Sequence, residues 1–247
     1  MNEPYRLTMN ANTENYDLRP VWQALLALHK DFDAFCVRHG LTYYVAYGTL
    51  LGAIRHGGFV PWDDDFDVMM PRPDYERLML LRGLLPGHMK WVSIETDPNH
   101  KLLFAKIVET RKDVVERVSR QSNLALRQGL FIDVFPVDGM PSNQVSLFLW
   151  RIGRAIRRRV CAKSALQTWF ATYTYNSSKY VGVANNENSN PARYRYLRSM
   201  LGTPQRVKFE DVMVNVPSDP AAVLKVDFGN WRELPPVGKR IPSHQIL

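Results

Sequence analysis

Four aspartates crowd residues 63–67: Asp63, Asp64, Asp65 and Asp67. A fifth, Asp133, interrupts the apolar run 129–136 (GLFIDVFP), which otherwise reads as a buried central strand. Residues 66–70 read as a second strand. Asp65 and Asp67 then flank Phe66, and because strand side chains alternate, both carboxylates leave one face, close enough to share an ion. Asp133 in an apolar strand has to be hydrogen-bonded, protonated or metal-bound. A single like-charged pair ~4 Å apart costs on the order of 4 kcal/mol at an effective dielectric of ~20. Set against a total stability of roughly 5–15 kcal/mol, three converging carboxylates demand a cation, and oxygen-only ligands favour Mg²⁺ or Mn²⁺.

The elements ahead of the acids supply a partner for that cation. Residues 43–47 are β-branched and aromatic like a strand, 49–56 form a short helix and 57–62 a loop. Gly48 permits close backbone approach, and with Thr49 it opens a helix whose free N–H groups suit a phosphate. A metal beside a phosphate cradle describes phosphoryl or nucleotidyl transfer. Arg55, His56 and Lys106 are candidate phosphate partners; Lys106 in particular is a lone lysine in an apolar strand and needs an anion or an exit to water. Taken alone, the run Asp63-Asp64-Asp65 reads as a solvated turn; joined to the strand acids and the glycine-threonine start of the helix, Asp63 and Asp64 become groups that meet substrate.

In chain order, Asp17 can cap a packing helix with Pro20 in its first turn, Val21, Leu25, Leu28, Phe32 and Phe35 at helical spacing and a stop at Gly40. His29 and His39 on it read as packing or surface residues. A helix follows over 74–85, strands over 91–95 and 102–108, and a further strand over 114–118. An amphipathic helix over 142–165 carries Arg151, Arg154 and Arg158 on one face and suits either ordinary packing or an anionic bilayer. Residues 169–190 give no firm element. Strands over 207–209 and 212–216 and a helix over 219–226 complete the chain.

The 247 residues allow one large domain with a sizeable core. Cys36 and Cys161 lie far apart with no paired spacing, which argues against a disulfide framework or zinc site and suits a reducing cytosol. No apolar run reaches the ~18 residues of a membrane span, so a cytoplasmic protein is expected, either soluble or in peripheral membrane contact through 142–165. The formal charge of +8 is local: residues 141–186 hold seven Lys and Arg and no acids, leaving 25 bases against 24 acids elsewhere. No nucleic-acid partner is therefore expected. The chain divides into a catalytic core (1–140), a basic helical insertion (141–206) and a C-terminal segment that completes the site (207–247).

The run 48–67 (GTLLGAIRHGGFVPWDDDFD) resembles the signature of the LicD family of phosphocholine transferases, related to the fukutin-type transferases. Residues 129–139 (GLFIDVFPVDG) are similar to the family's later acidic strand, and Leu234-Pro-Pro with Lys239, Arg240 and His244 to its C-terminal signature. The resemblance implies an α+β, nucleotidyltransferase-like mixed sheet flanked by helices. It implies that Asp65, Asp67 and Asp133 are the catalytic metal ligands, that Gly48 and Thr49 meet the donor phosphates, and that Arg240 and His244 contact substrate. It also implies transfer of a phospho-alcohol from a CDP-alcohol donor to a glycan or lipid-linked glycan, releasing CMP. Residues 141–205 match no family motif, and Gly229-Asn230 stands where the family has Gly-Asp.

Overall fold

A computed structural model describes residues 16–100, 102–140, 142, 175–183, 194–242 and 245–246. Helix α1 (Arg19–Arg38) has Pro20 in its first turn, and the Asp17 carboxylate accepts from the Arg19 N–H at 3.0 Å. Its expected apolar stripe is buried. Strand β1 (Tyr44–Val45) runs into α2 (Tyr47–Arg55), and β2 (Asp67–Pro71) into α3 (Arg72–Leu80). The helix expected over 74–85 starts earlier because Pro73 seats in its first turn, and it tightens to a 3₁₀ turn at Leu81–Leu84 around Gly83. Strands β3 (Met89–Val92) and β4 (Ala105–Glu109) follow.

The strand expected at 114–118 is instead helical, part of α4 (Lys112–Ser122). Val114, Val115 and Val118 are β-branched, but their spacing gathers them on one side of a helix, and Asn123 closes it in the left-handed conformation, φ +57°. Then come β5 (Leu124–Ala125), β6 (Phe131–Met140), β7 (Tyr180–Val183), β8 (Arg195–Leu197), α5 (Arg198–Leu201), the hairpin β9 (Gln205–Phe209) and β10 (Val212–Val216), α6 (Pro220–Phe228) and β11 (Gln245–Ile246). The Asp219 carboxylate caps α6 by accepting from the Ala222 N–H at 3.0 Å. Strand β7 falls where no element was legible.

Seven strands form one mixed sheet, in which β1, β2, β6, β4 and β3 lie side by side while β7 joins β6 and carries β8. The β2–β6 pair is parallel and the rest are antiparallel. At ten residues β6 is long enough to pair with β4 along its first half and with β7 along its second. On one face, Val68, Met70, Ala105, Ile107, Ile132 and Val134 are fully buried; α1 packs against β6 and against β10. The opposite face carries the chemistry. Beyond it, Asp138 on β6 accepts two hydrogen bonds from the Arg72 guanidinium, at 2.6 and 2.8 Å, which locks α3 to the sheet.

The architecture is α+β, as expected. The basic helix of 142–165 lies, apart from Ser142, outside the described residues, as does Cys161; Cys36 is a buried free thiol. Among the described residues no helix is long and apolar enough to cross a membrane.

Candidate active site

Strand register brings the chemistry together. Asp67 on β2 lies opposite Asp133 on β6, and Asp133 lies opposite Lys106 on β4. Directly opposed residues share a face, so three neighbouring strands present two carboxylates and an ammonium in a row. The Lys106 Nζ donates to Asp133 Oδ1 at 2.7 Å, with both side chains largely buried. That ammonium also sits 3.3 Å from the centroid of the Phe131 ring. The anion that Lys106 needed is Asp133.

Asp65 arrives by another route than strand alternation. Strand β2 begins only at Asp67, and Asp65 belongs to the loop before it. There the carboxylates of Asp63, Asp64 and Asp65 lie within 4.8 Å of one another. The loop is held from behind: the Trp22 indole N–H donates to the Asp63 carbonyl at 2.7 Å, and the Trp22 ring stacks on Phe59 at 5.3 Å. Burial, then Asp65, Asp133 and Asp63, push the Asp67 carboxyl well above its ordinary range, while Lys106 draws it back. Asp63 is raised likewise, by burial and then by Asp65 and Asp64. Asp65 therefore acts on both the loop and the sheet acids. Oxygen donors crowded this way, with one lysine among them, make a donor set that fits a hard divalent cation such as Mg²⁺ or Mn²⁺.

The start of α2 abuts the same loop. A Cβ on Gly48 would collide with the Asp63 carboxylate, so any side chain at this position displaces that acid. The buried Thr49 hydroxyl oxygen accepts from the Asp67 N–H at 2.9 Å, and the Asp67 carbonyl accepts from the Ala46 N–H at 2.9 Å. Thr49 thus ties the helix to the strand that carries Asp67. Tyr47 opens α2 at φ +44°, a left-handed conformation that costs a non-glycine residue roughly 1–2 kcal/mol.

The remaining candidates lie further out. Arg55 is about 10 Å along α2 from Gly48, and its Nη1 donates to the carbonyls of Trp231 at 2.7 Å and Glu233 at 3.2 Å. Arg55 clamps the C-terminal segment. Beside it, burial and then Arg55 lower the His56 pKa to about 4. Arg240 donates to the Pro235 carbonyl at 2.9 Å and lies 5.5 Å from the Trp62 ring centroid, which brings the C-terminal segment up to the residue preceding Asp63. His244 is outside the described residues. Sequence reasoning passed over Trp22 and Tyr47 as site residues, because aromatic residues at helix and strand positions signal core and nothing more.

The central strands of the mixed sheet thus carry the acids, and α2, with Gly48 as its second residue, abuts the acidic loop. Residues 40–151 match the family model described as LicD/FKTN/FKRP, nucleotidyltransferase domain. Over that stretch the chain is similar to the LicD family. It is 34% identical over 133 residues to the lipopolysaccharide cholinephosphotransferase LicD of Haemophilus influenzae, a match covering 52% of this chain and 47% of that one. Uncharacterized proteins of Rickettsia prowazekii and Rickettsia typhi are each 39% identical over 51 residues, 21% of this chain and 19% and 16% of theirs. The chain therefore spans less than half the length of the curated relatives it matches.

Proposed function

We propose that this chain is a divalent-metal-dependent transferase that moves a phospho-alcohol, phosphocholine before others, from a CDP-linked donor to a glycan hydroxyl, releasing CMP. The reaction would serve synthesis of a cell-surface polysaccharide or glycolipid. The observation that carries the reading is the register of Asp67, Asp133 and Lys106 across three strands, beside the acidic loop 63–65. The name of the Haemophilus relative supports the choice of cargo.

Asp65, Asp67 and Asp133 would hold Mg²⁺ or Mn²⁺, with Asp63 and Asp64 adjoining. A cation bound there supplies neutralisation of the donor's diphosphate charge. Lys106, already charged and desolvated against Asp133, donates to a phosphate oxygen once that carboxylate has another partner. The first amides of α2 at Gly48 and Thr49 face the phosphates. Asp133 or Asp65 orients the acceptor hydroxyl and takes its proton as the new P–O bond forms and the bond to CMP breaks. Arg240 and His244, on the C-terminal segment, contact donor or acceptor. Residues 142–165 would bring the enzyme to a lipid-linked acceptor at the inner membrane face.

Incubation with a panel of CDP-alcohols, an acceptor glycan and Mg²⁺ tests this directly. CMP release that depends on the metal and stops with a chelator is expected. Absence of CMP with every donor and acceptor would overturn the proposal.

A further inference from the structure

At the end of α2 away from Gly48, where Arg55 holds the Trp231 carbonyl, α6 and the turn after it shape an open pocket of about 510 Å³, a size that suits a small molecule. None of its side chains takes part in the transfer proposed above. Asp219 lines it at the N-terminal end of α6, and Lys225 lies about 9 Å further along the helix. Ala221 and Ala222 leave a smooth floor between them, and Asn230 and Arg232 line the side formed by the turn. That turn is firmly held. The Gly229 N–H donates to the Lys225 carbonyl at 3.0 Å, with Gly229 at φ +68°, and the Glu233 N–H donates to the Asn230 carbonyl at 3.1 Å. Trp231 is buried in the core, and the Arg232 guanidinium lies over its ring, 4.2 Å from the centroid. The cation is therefore in place before any ligand arrives.

The pocket is polar at both ends, and unequally so. Neither Lys225 nor Arg232 forms an ion pair among the described residues. Asp219 accepts from the Ala222 N–H at 3.0 Å through one carboxylate oxygen, which leaves the other for a hydroxyl. Two cations against one acid leave a surplus positive charge. Asn230 contributes an amide where a carboxylate would cancel that surplus. A bare phosphate would meet the cations but make no use of Asp219 or the alanine floor. A neutral sugar would meet Asp219 and Asn230 and leave both cations unmatched. A sugar that carries a phosphate meets all of them, its C–H face on the alanines.

We propose that this pocket is a binding site for a phosphorylated saccharide, separate from the row of acids, with Lys225 and Arg232 taking the phosphate and Asp219 and Asn230 taking ring hydroxyls. The site stands whether or not the acids carry out transfer.

Calorimetric titration of the full chain with glucose 6-phosphate, glucose and inorganic phosphate, at fixed ionic strength, tests the site. Chelator is present throughout, so that no metal gathers phosphate at the acids. Glucose 6-phosphate should bind at least about tenfold more tightly than either glucose or phosphate. Lys225→Gln and Arg232→Gln should each weaken it by about fivefold or more, and so should Asn230→Asp, which cancels the surplus charge. All three side chains are exposed, so the variants should melt like the wild type. Glucose 6-phosphate bound no more tightly than inorganic phosphate overturns the saccharide, and binding that survives all three substitutions overturns the pocket. Co-sedimentation with phosphatidylglycerol vesicles is the last arm. Vesicle binding that the same substitutions remove, with no binding of glucose 6-phosphate, would make the pocket a lipid site and overturn the proposal.

Discussion

Asp67 lies in a field of its own kind, with Asp65, Asp133 and Asp63 around it and Lys106 as the counterweight. Asp67→Asn should therefore remove turnover, by at least about a hundredfold, yet leave the metal-free fold as stable as before or more stable by about 1 kcal/mol. Thermal melting in chelator, beside CMP release, checks both; a lowered midpoint with activity kept would remove Asp67 from the metal site. Lys106→Met should act in the opposite direction. It leaves Asp133 without its ammonium in a largely buried position, which costs about 3 kcal/mol. Mg²⁺ should then raise the variant's melting midpoint more than it raises the wild type's, and an equal rise would show that the two cations do not share Asp133. At this scale the sequence was legible where type alone carries meaning. Five acids, one lysine in an apolar strand and Gly48 stood out because each is costly or special where it sits. Trp22 and Tyr47 did not, because an aromatic side chain looks the same in a core and at a site.

The loop between α2 and β2 is shaped by an element remote in sequence. Glu210, at the turn of the β9–β10 hairpin with φ +51°, accepts from the Phe59 N–H at 3.2 Å, and its own N–H donates to the Gly57 carbonyl at 2.9 Å. A Cβ on Gly58 would strike the Glu210 carboxylate. Glu210→Ala should then cost about 1–2 kcal/mol and speed hydrogen exchange at Phe59, without altering strand pairing. Unchanged exchange at that amide would show that the hairpin does not hold the loop. No local pattern announces such a contact, which spans 151 residues of sequence. The same limit explains the strand expected at 114–118: three valines carry β propensity, and only the helical geometry around them, closed by Asn123, shows which period they obey. The strands that carry Asp67, Lys106 and Asp133 were legible because their apolar runs are continuous. Their register, which makes the site, is tertiary and was not.

For the molecule as a whole, the clearest pH dependence comes from the core beneath the sheet. Burial lowers the His29 pKa to about 4, with Asp33 opposing and Arg206 assisting, and the ring accepts from or donates to the Tyr43 hydroxyl at 2.9 Å. Above pH ~6.5 the ring is neutral in folded and unfolded chains alike. As pH falls from there toward 4, the unfolded chain takes up a proton that the folded one refuses, and roughly 3 kcal/mol of stability is lost. His56, lowered by burial and then by Arg55, adds a loss of the same sign. The raised Asp63 and Asp67 work in the other direction, their contribution being present below pH ~3.8 and lost as pH rises through their folded values. Between pH 7.5 and 5 the melting midpoint of His29→Gln should fall less, or rise more, than that of the wild type; an identical pH response would acquit His29.

The central claim is that this molecule transfers the phospho-alcohol and discards the nucleotide. Mass spectrometry of the acceptor glycan after reaction with CDP-choline and Mg²⁺ tests it most directly. The account predicts a glycan heavier by one phosphocholine, with free CMP in solution. A glycan carrying cytidylate would contradict it, and so would one left unmodified under every donor.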